Sequence, residues 1–202
     1  MTSLEAALRR IHADLGEAHV SFALVGGLAV SARAEPRFTR DADLAVALAS
    51  DVEAEALIHS LRTRGYGIEA VVEQQAVGRL ATVRLTPSHV PQAPVVDLLF
   101  ASSGIESEVV ADAEPLDLLP NFRIGVARTG HLMALKVLSR DDVTRPQDLV
   151  DLRSLLRVAS SAELVRARQA LTVITARGYH RGRDLMAEMN NVVSSQSDPS
   201  TT

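Results

Sequence analysis

Leu24-Val25-Gly26-Gly27-Leu28-Ala29-Val30, followed by Arg37-Phe38-Thr39-Arg40-Asp41-Ala42-Asp43-Leu44, decides how the rest of the chain is read. An apolar run ends in a glycine pair, a short helical pattern follows, and an Asp-x-Asp opens a second apolar run. Side chains alternate faces along a strand, so Asp41 and Asp43 project to one side with Cα atoms about 6–7 Å apart. Two carboxylates aimed at one point repel each other, and a bound divalent cation is the simplest partner that makes the arrangement favourable. The Gly26-Gly27 turn carries no side chain, so backbone N–H groups and a helix start can face a phosphate. Together these features predict a site for a metal–nucleotide complex.

Downstream, Pro94-Val95-Val96-Asp97-Leu98-Leu99-Phe100 reads as a central strand with one charge in it. A lone carboxylate there costs several kcal/mol unless it is paired or metal-bound. Two readings stand: a structural arginine partner, or a triad with Asp41 and Asp43 that holds one or two Mg²⁺ through oxygen ligands. In the second, Asp97 could also act as the base for an attacking hydroxyl.

The chain has twenty arginines and a single lysine, Lys136. Against that background the one compact ammonium marks a position a guanidinium does not fit, such as a point contact to phosphate; the plain alternative is chance survival of one surface lysine. Lys136 and Arg140 fall four apart on an expected helix from 129 to 140. Asp148 and Asp151 fall three apart on the next, so each pair shares a face. Two antiparallel helices would bring Asp148 or Asp151 against Lys136, either as an ordinary ion pair or to aim the lysine at phosphates. Arg37 and Arg40, which flank the Asp-x-Asp, either touch a triphosphate or balance nearby acids.

The remaining pattern is helix 3–18, strand 21–25, helix 28–33, strand 42–48, helix 51–64 and strands 68–73 and 79–86. After a loop fenced by Pro91 and Pro94 come the Asp97 strand, a weak helix 105–112, strand 122–127, and helices 129–140, 144–158, 161–176 and 180–190. Thr144 with Gln147 reads as a capping box. Residues 191–202 are polar and turn-rich and read as a disordered tail. Strands first and helices later indicate an α/β (α+β) mixed sheet over 1–127 with a helical C-terminal subdomain over 128–190.

Composition excludes several classes. There is no cysteine, hence no disulfide or thiolate metal site. No apolar run approaches the roughly 18–20 residues that span a membrane, and the N-terminal pattern is not a signal peptide, so a cytoplasmic protein is expected. The six histidines are scattered without ligand spacing, and P-loop, Gly-x-Gly-x-x-Gly and Gly-x-Ser-x-Gly motifs are absent. The net charge is −4, but 9 basic and 17 acidic side chains over 1–120 contrast with 12 basic and 7 acidic over 121–190. That asymmetry suits a polyanion lying across one end, or simply solvated helix faces.

The ordered set Gly26-Gly27, Asp41-x-Asp43, Asp97, Lys136-x-x-x-Arg140 and Asp148-x-x-Asp151 resembles the nucleotidyltransferase superfamily. Within it, Val25-Gly26-Gly27-x-Ala29 with Arg37-x-Thr39-Arg40-Asp41-x-Asp43, and Leu135-Lys136 to Arg140 with Arg145-x-x-Asp148-Leu149-x-Asp151-Leu152, resemble the AbiEii/AbiGii-type toxin nucleotidyltransferases of bacterial toxin–antitoxin systems. The likeness covers roughly residues 20–157 and implies a polymerase-β-like core. It implies Mg²⁺-dependent transfer of a nucleoside monophosphate from an NTP with release of pyrophosphate. Asp41 and Asp43 would bind metal, Lys136 the triphosphate, and Asp148 or Asp151 would support catalysis. Gly26, Gly27, Arg37, Thr39, Arg40, Lys136 and Arg140 are the candidate nucleotide contacts. Several relatives add pyrimidines to the tRNA acceptor end and are opposed by an antitoxin, so tRNA and a cognate antitoxin are expected partners. Many members carry Gly-Ser where this chain has Gly26-Gly27, and a Gly-Gly version occurs among antibiotic-modifying relatives. Three activities are therefore expected to compete: a tRNA-directed toxin, a small-molecule nucleotidyltransferase, and a nucleotide-binding module without turnover.

Overall fold

In the computed structural model, which describes residues 3–87 and 94–197, the quoted stretch forms the centre of a seven-stranded mixed sheet. Strand β1 (Phe22–Val25) ends at the glycine pair and leads straight into α2 (Gly26–Arg33); β2 (Asp41–Val46) returns antiparallel to β1. The order across the sheet is β3-β4-β5-β2-β1-β7-β6. Here β3 is Tyr66–Gln74, β4 Arg79–Pro87, β5 Val95–Leu99, β6 Glu114–Leu119 and β7 Phe122–Val126. The β2–β5 and β1–β7 pairs are parallel and the others antiparallel, so the expected mixed sheet is the one formed. Central strands β1, β2 and β5 are mostly buried, which is why they read as apolar runs.

The helices are α1 (Ser3–Glu17), α3 (Asp51–Thr63), α4 (Glu106–Ala111), α5 (Thr129–Ser139), α6 (Pro146–Val158), α7 (Ser161–Ala176) and α8 (Leu185–Ser197), with α2 between β1 and β2. Leu8, Ile11 and Leu15 of α1 recur at helical spacing and are fully buried. Helix α3 opens on a capping box in which Ser50 accepts from the Glu53 N–H and the Glu53 carboxylate accepts from the Ser50 N–H. One continuous apolar cluster runs from α1 to α8, and α2 touches both β2 and the C-terminal helices α5 and α6. The sheet and the C-terminal helices thus meet along α2, directly behind the Asp-x-Asp.

Four local expectations change. Strand β6 had no expected counterpart: it is a short edge strand holding Pro115, a residue tolerated where one side of the backbone needs no partner. The Thr144–Gln147 capping box does not form. Arg145 is the N-cap residue of α6, Asp141 accepts from the Val143 and Thr144 N–H groups, and Gln147 is drawn instead to Asp151. The last helix starts at Leu185 rather than 180, because Gly178, Arg181 and Gly182 all have positive φ and break the pattern. It also runs through 191–197, where a disordered tail was expected: Val192 is buried and the Gln196 amide donates to the Arg153 carbonyl. The part of that tail from 198 to 202, and the loop over 88–93 that contains Pro91, lie outside the described residues.

Candidate active site

At the C-terminal end of β1 the chain must turn sharply to start α2, and Gly26 does so with φ +64°. A Cβ there would lie 1.8 Å from the Asp43 carboxylate, so the position demands glycine twice over. At Gly27 a Cβ would meet Arg37 Nη2 at 2.5 Å and Thr39 Oγ1 at 3.0 Å. The space that a serine would use in the Gly-Ser version is here filled by Arg37 and Thr39. The Gly27 N–H, expected to face a phosphate, lies on the side of the Asp43 carboxylate and favours its charged form.

Asp41 and Asp43 sit two residues apart on β2, half-buried, and both line a cleft of about 870 Å³. Asp97 of β5 is paired directly with Asp43 across the parallel β2–β5 ladder and lines the same cleft. Burial, and then the charges of Asp97 and Asp41, push the Asp43 carboxyl up to about 6, while Lys136 and the Gly27 N–H pull the other way. A carboxylate held up by its carboxylate neighbours is one that a cation would relieve.

Of the two readings of Asp97, the structure shows the arginine partner. Antiparallel pairing of β4 with β5 sets Arg84 opposite Asp97. Arg84 grips Asp97 fork to fork, with Nε to Oδ1 at 2.9 Å and Nη2 to Oδ2 at 2.7 Å. Among the described residues, no three Asp, Glu, His or Cys side chains close into a metal cage. Asp41 and Asp43 share the cleft floor, and the third carboxylate of the expected triad faces the guanidinium. The donor set is all oxygen and anionic, which fits a hard divalent cation at Asp41 and Asp43, with Asp97 available once Arg84 releases it.

The second half of the site comes from α5 and α6. Lys136 is only 7% exposed, and its Nζ lies 2.7 Å from Asp148 Oδ1 and 2.8 Å from Asp151 Oδ2. The lysine therefore meets both aspartates, not one of them. Arg145 Nε donates to the other oxygen of Asp148 at 2.8 Å, and Gln147 donates to Asp151 Oδ1 at 3.0 Å. Arg37 reaches across from the α2–β2 loop, Nη2 donating to Asp151 Oδ2 at 2.9 Å. Burial opposes the charged forms of Asp148 and Asp151, yet Lys136, with Arg145 on Asp148 and with Gln147 and Arg37 on Asp151, holds both below the usual carboxylate range. Arg37 thus balances an acid while still lining the cleft, along with Thr39 and Arg40.

Arg140 is not brought to this cleft. Helix α5 ends at Ser139, Arg140 turns out of it with ψ 129°, and its guanidinium pairs with Asp142, so the i, i+4 face shared with Lys136 is lost. Phe38, Arg84, Arg145 and Arg181 also line the cleft, though none was among the residues expected at the site. Residues 79–86 were expected as a strand, but nothing local there says that Asp97 is the neighbour of Arg84.

A mixed sheet carrying Asp-x-Asp on one strand, beside a glycine turn and a buried lysine from a C-terminal helix, defines a nucleotidyltransferase. A family model described as "Nucleotidyl transferase AbiEii toxin, Type IV TA system" matches residues 7–199, and the chain belongs to that family. Among solved structures, it is similar to an antigenic nucleotidyltransferase-like protein from Paracoccidioides brasiliensis (18% identity, TM-score 0.53, covering 93% of this chain and 92% of that one). It is also similar to the lincosamide antibiotic adenylyltransferase LnuA (14% identity, TM-score 0.49, covering 77% of this chain and 98% of that one). A third is MenT4, a nucleotidyltransferase toxin from Mycobacterium tuberculosis H37Rv (14% identity, TM-score 0.36, covering 96% of this chain and 94% of that one). No curated protein matches the chain. Among the described residues no helix is long and apolar enough to cross a membrane.

Proposed function

We propose that the chain is the toxin of a cytoplasmic toxin–antitoxin pair, and that it moves a nucleoside monophosphate from an NTP to the 3′ end of tRNA in a Mg²⁺-dependent reaction. The observation that carries this is the convergence on one cleft of the Asp41–Asp43 pair and Lys136, itself clamped between Asp148 and Asp151. Phosphoryl transfer asks a protein mainly for positioning and charge neutralisation, and these residues supply both. Asp41 and Asp43 would hold Mg²⁺, which when bound neutralises charge on the triphosphate. Lys136 has three N–H donors and spends two on carboxylates, which leaves one for a phosphate oxygen. Asp97, beside Asp43 in the strand ladder, would take the proton from the attacking hydroxyl once Arg84 releases it, and the hydroxyl oxygen would bond to the α-phosphorus as pyrophosphate leaves. A cognate antitoxin is the expected protein partner.

The test is to incubate the purified protein with Mg²⁺, total RNA and each labelled NTP in turn. Growth and tRNA 3′ ends are scored in cells expressing wild type or Asp43→Ala. The expected result is labelled tRNA and growth arrest with wild type, and neither with the variant. No label in any RNA with any of the four NTPs would sink the tRNA assignment. Adenylylation of an aminoglycoside or lincosamide in the same assay would put the small-molecule reading in its place. Tight NTP–Mg²⁺ binding without pyrophosphate release would mark a module without turnover.

A further inference from the structure

The chain contains four phenylalanines, two tyrosines and no tryptophan. Phe100, Phe122, Tyr66 and Tyr179 are buried and Phe22 is half-buried, whereas Phe38 is 78% exposed. That one exposed aromatic is at the active-site cleft, not scattered elsewhere on the surface. Its loop is anchored on both sides: Arg37 is tied to Asp151, and Thr39 leads into the Asp41 strand. Arg40 lies over the Phe38 ring at 5.6 Å and, among the described residues, makes no hydrogen bond or ion pair. An aromatic face backed by a free guanidinium costs apolar exposure in the empty protein and suits a flat, electron-rich partner with an anionic backbone, which is the chemistry of a nucleobase in a strand.

A second observation concerns the loop between α7 and α8. Arg181 is held at φ +55°, a left-handed conformation that a bulky side chain seldom adopts. It lines the same cleft and has no hydrogen bond or ion pair among the described residues. Arg145 and Arg183 are its charged neighbours, and burial together with their like charges holds its pKa down. Arg145 is committed to Asp148 and Arg183 to Glu188, so Arg181 is the cation left over. A strained, unpartnered arginine beside two like charges is favourable only when an anion arrives.

We propose that Phe38, backed by Arg40, is the stacking platform for the terminal base of a single-stranded RNA acceptor, and that Arg181 takes a phosphate of the same strand. This rests on the RNA-acceptor reading above. Leu99 and Leu135 also line the cleft and would give the incoming NTP an apolar wall apart from Phe38. The rim aromatic is therefore free for the strand that comes in from solvent.

Because tryptophan is absent, Phe38→Trp places a single reporter at the platform. Titration with a short single-stranded RNA ending in CCA is expected to quench its fluorescence saturably. The same RNA with an abasic terminal nucleotide is expected not to, and neither is each NTP with Mg²⁺. Phe38→Ala is expected to raise the Kd and KM for the RNA about 5- to 150-fold with the KM for NTP unchanged, the loss of one base–aromatic stack. Arg181→Gln is expected to weaken binding and lower the salt dependence by about one released counterion. Quenching by NTP with Mg²⁺, or equal quenching by the abasic RNA, would overturn the proposal. Binding is read here without turnover. Quenching by RNA with no nucleotide transfer would sink the RNA transferase and keep the platform, whereas transfer to RNA with an unchanged Phe38→Ala KM would sink the platform and keep the transferase.

Discussion

Replacing Lys136 with methionine is the most demanding test of the α5–α6 half of the site. The ammonium is buried and sits 2.7 and 2.8 Å from two carboxylates that are themselves 3% and 1% exposed. Removing one partner of a buried ion pair typically costs about 3–5 kcal/mol, because the other charge is left uncompensated. Here Asp148 keeps Arg145, and Asp151 keeps Arg37 and Gln147, so the expected cost at neutral pH is about 2–3 kcal/mol. For a domain of this size that is a fall of roughly 4–12 °C in Tm. The loss should depend on pH with a definite sign. In the wild type, both carboxylates titrate below the ordinary aspartate range, so their stabilising share is present above that range and is lost as pH falls through the lowered values. Without the ammonium, burial is opposed only by Arg145 on Asp148 and by Gln147 and Arg37 on Asp151, so both should move up. Less of their stabilising share then remains at neutral pH to be lost on acidification. The gap between wild type and Lys136→Met should therefore narrow from about pH 7 towards about pH 4. Urea unfolding followed by far-ultraviolet circular dichroism measures this, and adding Asp148→Asn to Lys136→Met should restore part of the loss. An unchanged midpoint at neutral pH, or a gap that widens on acidification, would refute the reasoning.

Asp43→Asn should abolish nucleotide transfer yet leave the metal-free protein as stable as wild type or more so, since it removes a charge opposed by burial, Asp97 and Asp41; a large drop in metal-free Tm would contradict this. In the same variant the rise in Tm that Mg²⁺ produces in the wild type should disappear. Gly26→Ala should cost more than about 1–3 kcal/mol and inactivate the protein, because it combines a positive φ with a Cβ 1.8 Å from Asp43; normal unfolding and activity would show that the turn is not as described. Arg84→Gln should tighten divalent-cation binding measured by calorimetry with Mn²⁺, since it frees both oxygens of Asp97; weaker binding would mean that Arg84 organises the site and does not compete for it.

The elements that local pattern specifies were legible. Helix 161–176 and the glycine turn after β1 follow from periodicity and turn chemistry, and the Asp-x-Asp strand from alternation. What failed did so where a distant partner outcompeted a local one. Gln147 is within reach of a capping box but goes to Asp151, and Arg140 is one residue too late to stay on the helix face of Lys136. Strand β6 is short and edge-placed, so its apolar pattern is too weak to read without its partner β7. The tail residues 191–197 become helical only because Val192 has a core to enter.

From the sequence alone came the residue types and their spacing: two aspartates on one strand face, a third in a buried strand, one lysine among arginines, and two aspartates one helical turn apart. These are local properties, set by the period of strand and helix and by the absence of a side chain at glycine. Tertiary structure alone decided pairing. Strand register put Arg84 on Asp97, the packing of α5 on α6 put Lys136 between Asp148 and Asp151, and the return of the chain at Phe38 left one aromatic ring exposed at the cleft. Register and helix packing are settled by burial of the whole apolar cluster, a quantity summed over residues far apart in the chain, so no local stretch can declare them.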